Sequence, residues 1–485
     1  MEEQLSLPLA DLAAATEANV VRLAAGDHAR RAARAGARPS GNGPRLGELL
    51  GALSLALDMT EGQPAGHCQR SCWIGQHIGR AVGLTTGQMR ELYYATLLKD
   101  AGCSSNAARV CQLFLTDDLS FKHGRKIAGA SMPAMLRFVL GHAGRNARLP
   151  ERVRAVFNII QNGGEIEREL TETRCGRGAQ IARQLRFGDA VADGIAGLDE
   201  HWDGSGVPEG LQGEEIPLYS RIALLAQVVD VFHTSVGPQA TREEVTRRRG
   251  RLLDPRLCEV FDALSRDAGF WAGLASPELE QRLFEMEPAR QPQPLDDDYL
   301  DDIAMAFGQI VDAKSPFTSG HSARVALIAD HVSMALGLEA DQRRWLRRGA
   351  LLHDVGKLGV SNTILDKPGK LDPREWAEVQ RHALHTEQIL GRISSFGALA
   401  RVAGAHHEKL DGTGYPRGLD ARHIRLETRI ITTADIFDAL IADRPYRAAM
   451  PLAQALATMR ESVGTAIDAD CFAALERALE TLDMR

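Results

Sequence analysis

Imidazole and carboxylate side chains of the kinds that bind metals recur in short phrases over the last third of this 485-residue chain. Such ligands together suit Fe, Mn, Zn or Co, and the lack of Cys ligands argues against a structural zinc site. Adjacent His and Asp residues can serve two metals if the carboxylate bridges them. Two metals about 3.5–4 Å apart are the usual device for cleaving a phosphoester. The candidates are His321, His353, Asp354, His382, His406, His407 and Asp435.

Basic residues near these candidates suit a phosphate. Lys357 follows Asp354 by three residues and lies on the same side if the helical turn continues, where it can face a phosphate or protonate a leaving oxygen. The alternative is an ordinary surface lysine. Arg444 and Arg447, in the phrase DRPYR, can hold phosphates bidentately. The phrase DGTGYP, residues 411–416, is predicted to be a loop because of its glycines and proline.

The candidates fall on phrases that occur twice in the chain. GHCQRSCWIGQHIGRAVGL, from Gly66, is echoed by GHSARVALIADHVSMALGL, from Gly320, and HWDGSGVPEGL is echoed by KLDGTGYPRGL. The echoes keep their order, which predicts a duplicated domain whose first copy carries an insertion of about 46 residues within 105–170. Three further histidines are more simply explained by packing or solvation, and we leave them out of the site: His331, His385 and His423.

Length and composition predict a mostly helical protein with more than one domain. A chain of 485 residues is too long for a single core, and its Leu-, Ala- and Arg-rich runs have helical periodicity with few β-branched clusters. We expect an all-α fold of two tandem helical bundles. The first bundle is a degenerate copy and the second is a complete copy. The predicted parts are a flexible leader over 1–44, a first domain over 45–287, a linker over 288–300 and a second domain over 301–485.

Charge and cysteine content exclude several classes of protein. A net charge of −7 gives no support for nucleic-acid binding, and no apolar run reaches the length of a membrane span, about 18 residues. The first residues, MEEQLSLPLADLAAA, lack the basic segment of a signal peptide. Seven cysteines, an odd number, are typical of reduced thiols. We therefore expect a cytoplasmic protein that neither binds nucleic acid nor inserts into a membrane.

Three phrases, HDVGK, HHEKLDGTGYPRGL and ADIFDALIADRPYR, resemble in this order the HD-GYP branch of the HD-domain phosphohydrolases, over about residues 312–477. The resemblance implies an all-helical domain with a centre of two or three metals, most often iron or manganese. It also implies hydrolysis of a cyclic dinucleotide. The usual substrate in the family is cyclic di-GMP, which is cleaved to pGpG and often on to GMP, and some members prefer cyclic GMP-AMP.

Carried over to this chain, the resemblance makes the seven candidates metal ligands, with Asp354 bridging the metals. Asp354 and Lys357 become catalytic residues, and Lys357 would contact the scissile phosphate. Members with three metals carry a carboxylate four residues before the first ligand; Phe317 stands there, so we expect two divalent ions, iron or manganese. Leu410 replaces a common Trp, which alters loop packing but removes no ligand. Family positions that contact substrate are matched by Tyr415, Arg444 and Arg447.

The first copy has lost most of this set. His67 and Asp100 keep the types of two ligands, but Lys99 stands at the position of His353 and Cys103 at that of Lys357. A lysine at a ligand position opposes metal binding by charge alone, so we expect metal only in the second copy. The remaining replacements are Cys175 for His382, Leu198-Asp199 for His406-His407, Gln227 for Asp435 and Val207 for Tyr415.

The purpose of the degenerate copy is left open by the sequence. It can dimerise, bind a nucleotide without cutting it, or gate the second copy. Five of its cysteines raise a redox switch or a different metal as an alternative to small buried residues in helices; they are Cys68, Cys72, Cys103, Cys111 and Cys175.

We therefore predict a metal-dependent phosphodiesterase that hydrolyses a cyclic dinucleotide, cyclic di-GMP before cyclic GMP-AMP. One alternative is a non-catalytic adaptor that binds the nucleotide or a diguanylate cyclase. Another is an HD hydrolase for a different nucleotide, against which the GYP phrase argues. The expected partners are the cyclic dinucleotide, diguanylate cyclase domains and a second copy of the chain in a homodimer.

Overall fold

Helices make up the regular structure of this protein. The structure is a computed structural model that describes residues 45–127, 132–144, 148–288 and 295–481. The leader predicted over 1–44 lies outside the described residues. Within these ranges every regular element is a helix, and β pairing is limited to isolated bridges such as Asp411–Asp420. The all-α prediction is confirmed. No helix in the same ranges combines the length and apolarity needed to cross a membrane.

Thirteen α-helices occupy the described part of the first half. Several begin at side-chain caps: Thr85 and Gln88 form a capping box, and Asp254 accepts N–H groups at the start of a later helix. The helices are α1 (Leu46–Thr60), α2 (His67–Ala81), α3 (Thr86–Leu97), α4 (Ala107–Phe114), α5 (Asp118–Ile127), α6 (Met132–His142), α7 (Leu149–Gln184), α8 (Asp189–Ala196), α9 (Leu218–Val236), α10 (Pro238–Arg248), α11 (Pro255–Leu264), α12 (Ala268–Leu274) and α13 (Leu279–Met286).

Nine α-helices and three 3₁₀ turns occupy the described part of the second half. The first helix begins at Asp297, inside the predicted linker, because Asp296 caps it by accepting the N–H of Tyr299 at 2.8 Å. The turn that matters most for the site is Val355–Gly359. The helices are α14 (Asp297–Asp312), α15 (His321–Ala335), α16 (Ala340–Leu352), α17 (Asn362–Leu365), α18 (Pro373–Leu390), α19 (Gly397–Ala403), α20 (Leu426–Ile441), α21 (Leu452–Glu461) and α22 (Ala469–Thr481).

One apolar core runs through both halves. It includes residues as far apart in sequence as Leu46 and Leu475. At the junction, helix α1 packs against α18 and against the turn Val355–Gly359. The division of the chain at 288–300 stays a prediction, but the two sides of that division share buried surface. A smaller, separate apolar cluster lies between Val110 and Ile166, where the sequence predicts the insertion.

The same local contacts recur in both halves. Helices α2 and α15 each follow a glycine in the left-handed region, Gly66 with φ of 87° and Gly320 with φ of 67°. An aspartate at the end of the preceding helix accepts N–H groups at each of these helix starts: Asp58 from Cys68, and Asp312 from Ser322. The repeated phrases in the sequence therefore fold into repeated structure.

Candidate metal centre

Five helices and their ends bring the seven predicted ligands to one place. His321 is the first residue of α15, His353 and Asp354 follow the end of α16, and His382 lies on α18. His406 and His407 follow α19, and Asp435 lies on α20. Six of the seven residues are buried and His407 is half-buried. Helix packing alone therefore collects ligands that are spread over more than a hundred residues of sequence.

The ligands form two groups of three that share Asp354. His321, His353 and Asp435 make one group, and His382, His406 and His407 make the other. Asp354 Oδ2 faces the first group, 3.4 Å from His321 Nε2 and 3.3 Å from His353 Nε2. Its other oxygen, Oδ1, faces the second, 3.4 Å from His382 Nε2 and 3.6 Å from His406 Nε2. A carboxylate held in this way can bridge two ions.

Backbone and carboxylate acceptors orient the imidazoles. His353 Nδ1 lies 2.7 Å from the carbonyl oxygen of Ala350, and His406 Nδ1 lies 2.7 Å from that of Ala403. His382 has the same arrangement with the carbonyl three residues earlier. A carbonyl can only accept, so Nδ1 carries a proton in each ring and Nε2 is the nitrogen that points into the centre.

Burial keeps one histidine group neutral, which is the form that binds metal. Burial lowers the pKa of His382 to about 3 and the pKa of His407 to about 4. Burial also lowers the pKa of His406 well below its ordinary value. At neutral pH these three side chains are therefore neutral imidazoles, as metal coordination requires.

In the group of His321, His353 and Asp435, the carboxylates have more effect on the histidine pKa than burial has. Burial disfavours the charged form of His353, but the negative charges of Asp354 and Asp435 outweigh burial and raise its pKa to about 9. Within the described residues, Nε2 of His321, Nε2 of His353 and Oδ1 of Asp354 are buried without a hydrogen-bond partner. Buried polar atoms normally find partners. The two Nε2 atoms lie in the first ligand group and Oδ1 faces the second, and orphaned atoms of ligand type on both sides of Asp354 fit divalent metal ions.

Lys357 and Arg444 lie beside the centre. The Lys357 ammonium is 2.5 Å from Asp354 Oδ2. Both side chains line a cavity of about 110 Å³, together with Lys314, Phe317 and Tyr446. The side of the centre next to Lys357 is therefore the open, cationic side, where an anion can approach.

Arg447 is placed differently. Its guanidinium donates to the carbonyl oxygens of Ala439 at 2.6 Å, Leu440 at 2.9 Å and Ala448 at 3.1 Å. These contacts cap the end of α20 and shape the DRPYR loop. The contact with substrate that the resemblance implies for Arg447 stays a prediction.

Tyr415 lies beside the second ligand group. Its ring lies 4.8 Å from the ring of His407 and 5.9 Å from that of Trp376, measured between centroids. Trp376 is 46% exposed, so this aromatic row runs from a candidate ligand to the surface. Such rings offer faces on which a nucleobase can stack.

Two further carboxylates, which the motifs did not single out, support the site. Asp438 Oδ2 lies 2.7 Å from His321 Nδ1 and also pairs with Arg324, so it orients the first ligand. Glu408 is buried and accepts the N–H groups of Arg417 at 2.7 Å and Leu419 at 2.8 Å. A signal was present in the sequence: both residue types recur at the matching positions of the first half, as Asp230 and Glu200.

Replacing Glu408 by Gln is expected to lower kcat/KM about tenfold while the metal content stays unchanged. The amide can accept only one of the two N–H groups, so the loop that carries Tyr415 loses its shape. The measurement is steady-state kinetics together with metal analysis of the purified protein. Glu200→Gln is the matched control, since Glu200 accepts the N–H groups of Glu209 and Leu211 in the first half. Equal kinetic effects of the two substitutions would contradict this role.

In the first half, cationic side chains fill the corresponding place. The Lys99 ammonium lies 2.8 Å from His67 Nε2 and 3.3 Å from Gln227 Oε1, and it pairs with Asp100. These three residues correspond to His321, Asp435 and Asp354. Lys126 adds a second ammonium beside the same aspartate, 3.7 Å from its other oxygen. The ammonium of Lys99 thus sits among the residues that match one ligand group.

The structure corrects one correspondence. Gly356 packs against the carbonyl of His382, and Gly102 packs in the same way against the carbonyl of Arg174, not of Cys175. Arg174 is therefore the counterpart of His382, and its guanidinium pairs with Asp199, the counterpart of His407. The shift of one residue arises within the long helix α7, Leu149–Gln184.

The cysteines of the first half are free thiols in helical surroundings. Burial raises the pKa of Cys72 to about 12 and raises the pKa values of Cys68 and Cys103 well above the ordinary value. Thiols of this kind stay protonated and react slowly, which favours the interpretation as small buried residues.

Comparisons with known proteins agree with this geometry. The HD domain family matches residues 144–249 and 306–471. A 3'3'-cGAMP-specific phosphodiesterase 3 of Vibrio cholerae serotype O1 is 55% identical over 437 residues, which cover 90% of this chain and 95% of that protein. A cyclic di-GMP phosphodiesterase of Thermotoga maritima is 32% identical over 180 residues, 36% of this chain and 49% of that protein.

A solved structure extends the similarity to three dimensions. A crystal structure of a cyclic GMP-AMP specific phosphodiesterase of V. cholerae has a TM-score of 0.63 at 50% identity. The match covers 90% of this chain and 98% of that one. The similarity therefore includes both halves and is not confined to the half that carries the metal ligands.

Proposed function

This chain belongs to the HD domain family, in its HD-GYP branch of metal-dependent phosphohydrolases, and we propose that it hydrolyses a cyclic dinucleotide at the centre around Asp354. The observation that carries the proposal is the pair of ligand groups that share one carboxylate. Bound metals would supply a nucleophile at neutral pH by lowering the pKa of water, and would neutralise charge on the phosphoryl oxygens.

The side chains around the centre have distinct roles in this proposal. Lys357 places its ammonium on the open side, beside Asp354, where it binds a phosphoryl oxygen or gives a proton to the leaving oxygen. Arg444, on the wall of the same cavity, holds the second phosphate. Tyr415 and Trp376 offer a stacking face for a base.

Two metal ions, iron or manganese, are the proposed content of the centre. Two groups of three histidine and aspartate ligands around one shared carboxylate support two ions rather than one. Members with three metals have a carboxylate at the position of Phe317. The apolar ring of Phe317 lines the cavity and cannot bind a third ion. Imidazole and carboxylate ligands suit iron and manganese alike, so availability decides between them.

The proposed preferred substrate is 3'3'-cGAMP. The sequence motifs alone favoured cyclic di-GMP and kept cyclic GMP-AMP as the alternative. Similarity over nearly the whole length of a 3'3'-cGAMP-specific enzyme supports the alternative, since the similarity to the cyclic di-GMP phosphodiesterase of T. maritima covers 36% of the chain. Both substrates share the two phosphodiester bonds that the centre would act on.

A substrate panel tests the proposal. The full-length protein is purified with and without oxygen, analysed for metal, and assayed with 3'3'-cGAMP, cyclic di-GMP and a guanosine alarmone. We expect hydrolysis of both cyclic dinucleotides, with the higher kcat/KM for 3'3'-cGAMP. A chelator should lower turnover on the order of 10³-fold or more, and Mn²⁺ or Fe²⁺ should restore it. If the metal-loaded protein hydrolyses none of these substrates, the proposal is wrong, and the hypothesis of a non-catalytic adaptor replaces it.

The cellular setting is also part of the proposal. We place the enzyme in the cytoplasm, where cyclic dinucleotides act. A diguanylate cyclase partner and a homodimer, both raised by the sequence, stay predictions.

A further inference from the structure

A buried carboxylate of the first half reaches the wall of the cavity in the second. Asp118 opens helix α5 and is fully buried. Its Oδ1 accepts the backbone N–H of Asn362 at 2.8 Å and the hydroxyl of Ser361 at 3.1 Å. Its Oδ2 lies 3.4 Å from the Lys314 ammonium. All three partners belong to the second half.

Two of these partners, Lys314 and Asn362, also make contacts that reach the turn that carries Lys357. The Lys314 ammonium also donates to the carbonyl oxygen of Leu358 at 3.1 Å, one residue after Lys357. The Asn362 amide donates to the carbonyl oxygen of Lys314 at 2.6 Å. Asp118 therefore joins the segment before the first ligand helix to the turn that carries Lys357.

Charge explains why the contact matters. Lys314 is 1% exposed, and burial lowers the pKa of its ammonium while Asp118 opposes that effect. A second cation, Lys122, lies on the same first-half helix as Asp118, and its charge also disfavours the Lys314 ammonium. A buried lysine without its counter-ion is strongly disfavoured, so its chain would move toward solvent. The solvent nearest to it is in the cavity, because Lys314 lines that cavity.

We propose that Asp118 is a positioning residue of the active site, supplied by the degenerate half. Its carboxylate holds Lys314 in the cavity wall and fixes the turn at 357–362, so that Lys357 points at the substrate. Asp118 touches neither a candidate ligand nor the open side of the centre. The inference rests on the proposed function and assigns the first half a direct structural part in it.

Three full-length variants test the inference: Asp118→Asn, Lys314→Met and the double variant. We expect Asp118→Asn to lower kcat about tenfold to a hundredfold with metal content retained, because a displaced Lys357 affects the transition state and not the ligands. The double variant should lose no more kcat than the single variant with the smaller loss, since both side chains act through one interaction. Glu169→Gln, which breaks an exposed first-half ion pair with Arg109, is the control and should leave kcat unchanged.

Outcomes separate the inference from the proposed function. Wild-type protein that hydrolyses no cyclic dinucleotide overturns the proposed function. Wild-type turnover together with an unchanged kcat in Asp118→Asn overturns the inference, as do additive losses in the double variant. If Asp118→Asn does not fold, Ser361→Ala removes one hydrogen bond to the same carboxylate. We then expect a twofold to tenfold lower kcat, and a lower melting temperature with unchanged kcat would overturn the inference.

Discussion

Replacing Asp354 by Ala is expected to lower the bound metal content and to abolish hydrolysis. Its two carboxylate oxygens face the two ligand groups, at 3.3–3.4 Å on one side and 3.4–3.6 Å on the other. Without the shared carboxylate, each group keeps its own ligands but nothing holds two ions together. We expect metal content to fall from two ions per chain to one or none, and turnover to fall on the order of 10³-fold or more.

The measurement is metal analysis of dialysed protein followed by turnover of 3'3'-cGAMP at saturating Mn²⁺. Asp100→Asn is the matched control, because Asp100 is the counterpart of Asp354 in the first half. Its neighbours are the ammonium groups of Lys99 and Lys126, so we expect the control to keep full metal content. Metal loss in Asp100→Asn, or full occupancy in Asp354→Ala, would contradict the assignment of the centre to the second half.

Replacing Lys99 by Met is expected to destabilise the protein by about 3 kcal/mol. Met keeps the length of the side chain but removes the charge that pairs with Asp100. Both residues of the pair are buried, at 2% and 1% exposure, so solvent cannot take over from the lost ammonium. Lys126 compensates only in part, because its ammonium is 3.7 Å from the same carboxylate.

The stability test compares urea midpoints of full-length variants. Lys367→Met is the matched control: Lys367 pairs with Glu375 at 2.6 Å, but the two side chains are 34% and 23% exposed. We expect a change of about 1 kcal/mol or less there, because solvent screens such pairs. If Lys99→Met and wild type have the same urea unfolding midpoint, the Lys99 ammonium does not stabilise the fold at the position that corresponds to the metal centre.

Local patterns were enough to predict the kind of fold and the kind of site. Helical periodicity and few β-branched clusters predicted the all-α fold. The ligand types could be predicted because each lies in a contiguous phrase, such as HDVGK for His353 and Asp354. Asp438 and Glu408 could have been found in the same way, since they recur in the first half as Asp230 and Glu200. The first half keeps these two residue types although it has lost most of the ligand types. Their role is therefore to support the fold and not to take part in the chemistry.

Contacts that form only when the helices fold and pack could not be predicted in that way. The substrate contact predicted for Arg447 stays a prediction, and the structure adds that its guanidinium donates to three carbonyl groups that come together where α20 ends. Arg174 instead of Cys175 became the counterpart of His382 because packing of Gly102 sets the register of α7. Single-residue register on a long helix leaves no trace in composition.

By itself, the sequence determined the helical fold, the family and the class of reaction, because these depend on local propensity and on contiguous motifs. Tertiary structure decided which oxygen of Asp354 faces which ligand group, and which cations occupy the first-half site. It also brought Asp118 to Lys314, 196 residues further along the chain. The physical reason is the same in each case. Buried charges must find partners, and which partners they find depends on how helices pack and not on how residues follow one another.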